Sequence, residues 1–260
     1  MDTRILSWED RVELAERFAP HLVLFPERQD LARPGGKTDR IGDYHPRGVG
    51  PLLERGALST GWFKPRQPAT RQALGGCTDP NAQLLILGRS FPNPNIAWQS
   101  YFAILDGTDQ NRQSGRERFP VTVYARVQTR AQANVASQDT AQLGEKYPLD
   151  LTQEVGGPFF KPATAAEDDV AIQYWFCYYY DDWANQHEGD WEGICIFFRR
   201  SGEDYAPVGA SYYAHETGLR RHWEDVERAT PDDTHPLVYV AAGSHASYFQ
   251  HVALGYLTTG

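Results

Sequence analysis

Cysteine is scarce. Cys77, Cys177 and Cys195 are the three in 260 residues, an odd number set far apart. That argues against a disulfide scaffold and against a thiolate zinc site, both of which need clustered or paired sulfur. Long apolar runs are missing too. No stretch nears the ~20 apolar residues that span a bilayer. The first ten residues show no basic region followed by an apolar run, so no signal peptide is expected and the default compartment is cytoplasmic. Excess positive charge is also lacking: 25 Lys and Arg stand against 34 Asp and Glu, a net charge of −9. Nucleic-acid recognition needs a cationic footprint to displace counterions, which excludes that partner class. Phosphate loops of the GxGxxG and Walker A types are absent, and with them the nucleotide chemistry they support.

What is present suits one sizeable core. Hydrophobic residues make up 41% and aromatic residues 13%, enough to fold without staples as a single domain over 1–260. Residues 1–65 read as an N-terminal helix and loops packed on a sheet. Ser7 is a candidate N-cap with Asp10 three residues on, and Val12, Ala15, Phe18 and Ala19 share a face at helical spacing over 7–19. His21–Phe25 is an expected strand between two prolines, and Leu84–Leu87, Ile96–Leu105 and Val121–Val127 are further ones. The 129–169 stretch is a polar insertion, too long for a tight turn.

Residues 170–260 carry the motifs. Val170–Tyr180 is an unbroken aromatic and β-branched run, as expected of a central strand covered on both faces. Trp191–Phe198, Val208–Ala214 and Leu237–Ala242 follow as strands, separated by turn signals such as Ser201-Gly202-Glu203-Asp204. Short strands with little helix between them favour an α+β fold that is mainly an antiparallel β-sandwich with peripheral helices.

Six of the eight histidines lie between 187 and 251, beside a dense acidic segment, Asp181-Asp182-Trp183-Ala184-Asn185-Gln186-His187-Glu188-Gly189-Asp190-Trp191-Glu192. Residues two apart in a strand share a face, so Asp190 and Glu192 project together, with Ile194, Ile196 and Phe198 behind them. Gly189 accepts backbone conformations other residues resist, which helps bring His187 to the same point. One imidazole and two or three carboxylates suit a divalent cation. Oxygen donors without thiolate favour Mg²⁺ or Ca²⁺, with Mn²⁺ and Zn²⁺ behind. His215 and His245 each stand at a strand exit, where sites form on loops. Ser244 precedes His245, but neighbours in a strand face opposite ways and no GxSxG elbow exists, which disfavours a serine triad. Trp223 either covers the site or packs. A His187, Glu192 and His215 triad around Fe²⁺ is a further alternative.

Two strings carry family likenesses. Ile172-Gln173-Tyr174-Trp175-Phe176-Cys177-Tyr178-Tyr179-Tyr180, with His187-Glu188-Gly189-Asp190-Trp191-Glu192 and Val238-Tyr239-Val240-Ala241-Ala242-Gly243-Ser244-His245-Ala246, resembles the vacuolar protein sorting-associated family over 170–250. His-x-x-Asp-x-Glu, here His187, Asp190 and Glu192, is similar to the heptad of the necrosis- and ethylene-inducing-like toxins, with Glu188-Gly189 where those proteins have Arg-His. That second likeness implies a β-sandwich in which an upstream acid, Asp182 or else Asp181, joins the three around a divalent ion facing lipid headgroups.

The expectation is therefore a cation held by Asp182, His187, Asp190 and Glu192. It would bind an oxygen-rich small molecule or a phosphate, sugar or lipid headgroup, with peripheral membrane contact compatible and no spanning segment. The competing expectation is a metal-dependent ester or phosphodiester hydrolase with Glu188 or His245 as general base.

Overall fold

The computed structural model describes residues 6–24, 45–50, 53, 56–59, 67–68, 70, 72–73, 83–85, 121–129, 169–181, 187–214, 217–230, 233–241 and 243–250. The expected strand at Ile96–Leu105 and residues 130–168 of the expected insertion lie outside them.

The chain is mostly β, with antiparallel sheets. Five strands form a meander in sequence order: β5 (Val123–Thr129), β6 (Val170–Asp181), β7 (His187–Ser201), β8 (Asp204–Ala214) and β9 (Thr217–His222). All four neighbouring pairs are antiparallel. Two smaller sheets accompany it. One orders β1 (His21–Leu24), β10 (Leu237–Val240) and β11 (Ser247–Tyr248), with β1 and β10 parallel. The other orders β3 (Gln67–Pro68), β2 (Ala57–Ser59) and β4 (Gln83–Leu85).

The long strands follow from composition. Aromatic and β-branched side chains fit a pleated, covered surface, and β6 holds little else. Residues directly opposite across a pair share a face, so Ile172↔Ile196 and Tyr174↔Ile194 continue one inward stripe along β6 and β7. The β7–β8 hairpin turns through Gly202 at φ +66°, a value that suits glycine at the first position of a two-residue loop. β8 contains Pro207, which a regular interior strand does not tolerate. The register slips by one residue there, between Phe197 and Phe198 of β7, which is where proline is accommodated.

Helix α1 (Trp8–Arg17) and the β1–β10–β11 sheet cover that inward face. Ser7 caps α1 with the reciprocal bonds of a capping box: Asp10 N–H donates to Ser7 Oγ and Ser7 N–H to Asp10 Oδ2, both at 3.1 Å. Leu14 and the C-cap Phe18 are buried and Ala15 is half-buried, whereas Val12 is exposed, a correction to the expected face. Leu14 and Phe18, four apart, define the row that meets the sheet; Val12 falls instead on the row of Trp8, on the solvent side. Phe18 sits edge-on to Phe198 with ring centroids 4.7 Å apart.

Phenols tie the layers together. Tyr174 Oη donates to Ala15 O at 2.8 Å and Tyr212 Oη to Leu237 O at 3.0 Å. Among the described residues no helix is long and apolar enough to cross a membrane.

On the outward face, Gly193 lies beneath Trp175 and Tyr213, whose rings are 5.5 Å apart. A β-carbon there would collide with the backbone carbonyl of Tyr174, which cannot swing aside as a side chain can. Gly193→Ala is therefore expected to destabilise the fold by about 1–3 kcal/mol, the usual range for overpacking, read as a lower urea midpoint at unchanged slope.

Candidate functional site

The β6–β7 register places the acidic motif. Phe176 lies opposite Glu192 and Tyr178 opposite Asp190, so both carboxylates extend the inward apolar stripe towards its rim. They are buried, at 8% exposure each. Trp191, on the other face, is 47% exposed. Gly189 adopts φ +73°, a conformation that favours glycine, and it interrupts the pleat between Asp190 and the His187–Glu188 pair. Beyond it Asp181 pairs with His187 across the strands, and Asp181 is 5% exposed.

The turn joining β10 to β11 supplies the facing wall. Ala241 N–H donates to Ala246 O at 3.0 Å, and His245 N–H donates to Ala241 O at 3.1 Å. Gly243 takes φ +80° and His245 φ +53°, the latter a left-handed conformation that costs a non-glycine residue roughly 1–2 kcal/mol. Tertiary contacts hold it there. The His245 ring is 1% exposed and stacks on Tyr178, with centroids 4.1 Å apart and 7° between planes. Its Nδ1 lies 2.9 Å from Asp190 Oδ2. A carboxylate in its ionised form only accepts, and against that form Nδ1 is the donor. Strain of this sort collects where a side chain must be held in one place.

Electrostatics follow from burying carboxylates together. Burial, then the charges of Asp190 and Asp181, raise Glu192 to about 8 from an ordinary 4.5. Burial, then Asp190, pushes the Cys177 thiol up to about 12. The Tyr178 phenol rises well above its usual range through burial, Asp190 and Glu192 in that order. Tyr248 is raised by burial and then by Glu192. The site is a pocket of negative potential that resists full ionisation.

Of the residues expected at a site, the fold brings together Asp190, Glu192 and His245. Ser244 is buried in the same turn. His187 and Glu188 belong to β7, but their side chains, together with Asp182 and His215, lie outside the described residues. Among the described residues, no three His, Cys, Asp or Glu side chains stand together as an ion shell. Trp223 is not brought to the carboxylates. It opens a 3-10 turn after β9 and packs edge-on to Phe18, which contacts Phe198, eight residues and roughly 26 Å along β7 from Asp190. One participant went unsingled in the sequence, Tyr178 as a site residue; Asp181, the second of the two upstream acids expected, is buried. A signal for Tyr178 existed: closing the hairpin on the Asp181–His187 pair sets Tyr178 opposite Asp190.

No protein-family model and no curated protein matches the chain, so the likeness to the vacuolar protein sorting-associated family rests on the strings quoted above. Among solved structures, the chain is similar to Necrosis and Ethylene inducing Protein 2 from the causal agent of cocoa's Witches Broom disease. The identity is 24% over 32% of this chain and 40% of that one, with a TM-score of 0.27. It is also similar to the non-toxic HaNLP3 protein, at 16% identity over 28% of this chain and 35% of that one, TM-score 0.24. These are distant likenesses of part of the fold, and this chain spans well under half the length of either protein. They carry no functional argument.

The Glu192 shift fixes the sign of a pH dependence. Below about 4.5 both folded and unfolded chains hold the proton. As pH rises from there, the unfolded chain releases it first and the folded chain keeps it to about 8. Folding stability in chelator is therefore expected to fall across pH 4.5–8, by at most about 1.4 kcal/mol per pH unit from this group. Glu192→Gln should flatten that slope in urea titrations at stepped pH.

Proposed function

We propose that the rim of the β6–β7 stripe holds one divalent cation and, through it, binds an oxygen-rich ligand such as a phosphate, sugar or lipid headgroup. The observation that carries this reading is the burial of Asp181, Asp190 and Glu192 close enough for their charges to raise the proton affinity of Glu192 to about 8. Buried carboxylates are tolerated when paired, protonated or coordinating a cation. A doubly charged ion would offset two of the three negative charges and set a positive centre among them. The donor chemistry fits: carboxylate oxygens, with neither of the described thiols, Cys177 and Cys195, among the acids on the inward face, suit Mg²⁺ or Ca²⁺. Asp190, Glu192 and an upstream acid would hold the ion, with His187 as the nitrogen donor that the motif supplies. The upstream acid is Asp182 or else Asp181, of which Asp181 is buried and acts by its charge on Glu192. The bound ion would supply a positive centre for ligand oxygens. His245 fixes Asp190 from behind, and the ring of Tyr178 keeps His245 in plane.

The His245–Asp190 pair favours one second reading, a metal-dependent ester or phosphodiester hydrolase in which a carboxylate-oriented imidazole moves a proton. Turnover separates the two.

Calorimetric titration of chelator-treated protein with CaCl₂ and MgCl₂ should reveal about one equivalent of bound ion. The Asp190→Ala, Glu192→Ala double variant should bind none. Inorganic phosphate, inositol phosphates and hexose phosphates should then raise Tm only when the cation is present. Heat-silent titrations with no cation-dependent change in Tm would end this reading. Chelator-sensitive cleavage of bis(p-nitrophenyl) phosphate or p-nitrophenyl acetate, lost in His245→Ala, would replace it with the hydrolase.

A further inference from the structure

Three tyrosines, Tyr174, Tyr178 and Tyr212, stand among the largest fully buried side chains, all on the inward face. Tyr174 and Tyr212 hand their protons to backbone carbonyls of the covering layer, Ala15 O and Leu237 O. Tyr178 does not. Its Oη is buried and has no hydrogen-bond partner among the described residues. A buried hydroxyl left without a partner costs about 1–3 kcal/mol, and interiors seldom carry one without a use for it.

Its surroundings indicate the use. Tyr178 is the cross-strand partner of Asp190, its ring is clamped against His245, and the charges of both Asp190 and Glu192 act on it. The carboxylates lie at the rim of the stripe, where they keep 8% exposure each, while Tyr178 is 1% exposed behind them. We propose that Tyr178 Oη is a ligand-positioning donor, held in reserve to hydrogen-bond an oxygen on the cation that Asp190 and Glu192 hold. That oxygen is a water when the ion is bound alone, and an oxygen of the ligand when one is present.

The inference rests on the cation reading and adds a specificity element to it. An oxygen with a free lone pair is accepted at that point, and a group presenting only carbon and its hydrogens is rejected because the hydroxyl would stay unsatisfied.

Tyr178→Phe tests it, because the sign of its effect must invert between two conditions. In EDTA the variant loses an unsatisfied hydroxyl and nothing else, so its Tm should equal or exceed that of the wild type. With CaCl₂ or MgCl₂ it lacks the donor, so the cation-induced rise in Tm should shrink and the ion should bind about five- to tenfold more weakly by calorimetry, the measure of one ordinary hydrogen bond. Tyr174→Phe and Tyr212→Phe, which lose bonds already made, should lower Tm in both conditions. A lower Tm for Tyr178→Phe in EDTA overturns the inference, since the hydroxyl then has a structural partner. So does an unchanged ion affinity. Absence of any cation effect on the wild type would instead overturn the cation reading itself. If Tyr178→Phe does not fold, ¹³Cζ-tyrosine spectra of the wild type decide: one buried resonance must move on adding Ca²⁺, and a spectrum that stays still refutes the proposal.

Discussion

The pairing of β6 with β7 is the constraint on which the rest depends. Antiparallel strands place directly opposite residues on one face, so a single register decides what lies behind what along twelve residues of β6. In this register the stripe Ile196, Ile194, Glu192, Asp190 runs without a break from apolar core to acidic rim. A slip of one residue would turn the isoleucines and the carboxylates outward together. The core and the site therefore cannot be specified independently. Ile172, Tyr174 and Phe176 pack in the core on the same face that buries the two acids.

The site also lies on a seam. Asp190 and Glu192 belong to the five-stranded sheet, whereas His245 belongs to the turn between β10 and β11 in the layer above. Other polar contacts tie those layers, from Tyr174 to α1 and from Tyr212 to β10, and both are neutral phenol-to-carbonyl bonds. The His245–Asp190 contact differs because one partner is a carboxylate whose neighbours are carboxylates. Any change in charge at the rim is felt by the turn above it, and the left-handed backbone at His245 means that this turn holds its shape through that contact and the ring stack.

Much of this was legible in the residues. Period-two alternation from Asp190 to Phe198 announced that acids and isoleucines share a face, and the aromatic run of β6 announced a covered central strand. Ser7 with Asp10 announced the cap of α1. Other features were not legible, for physical reasons. β7 begins at His187 rather than Trp191 because backbone pairing with β6 overrides the poor strand propensity of acids and glycine. Val12 and Trp8 are apolar yet face solvent, since the sheet accepts only the Leu14–Phe18 row. The separation of Trp223 from the acids depends on strand length and on where β9 ends, which no local pattern encodes. The approach of His245 to Asp190 joins residues 55 apart and arises only when a second sheet closes over the first.

The parallel pair of β1 and β10 has a further bearing, on how the molecule comes into being. Ala19, just before β1, accepts from His235, just before β10, across 216 positions. During synthesis the strands from β6 to β9 emerge before β10 and can pair hairpin by hairpin, whereas the strand that β1 pairs with in the folded chain is made later. Among the described residues, the part of the covering layer formed by β10 and β11 is made after the face that ends in Asp190 and Glu192. The turn that brings His245 to Asp190 is thus made after the strands that carry Asp190 and Glu192.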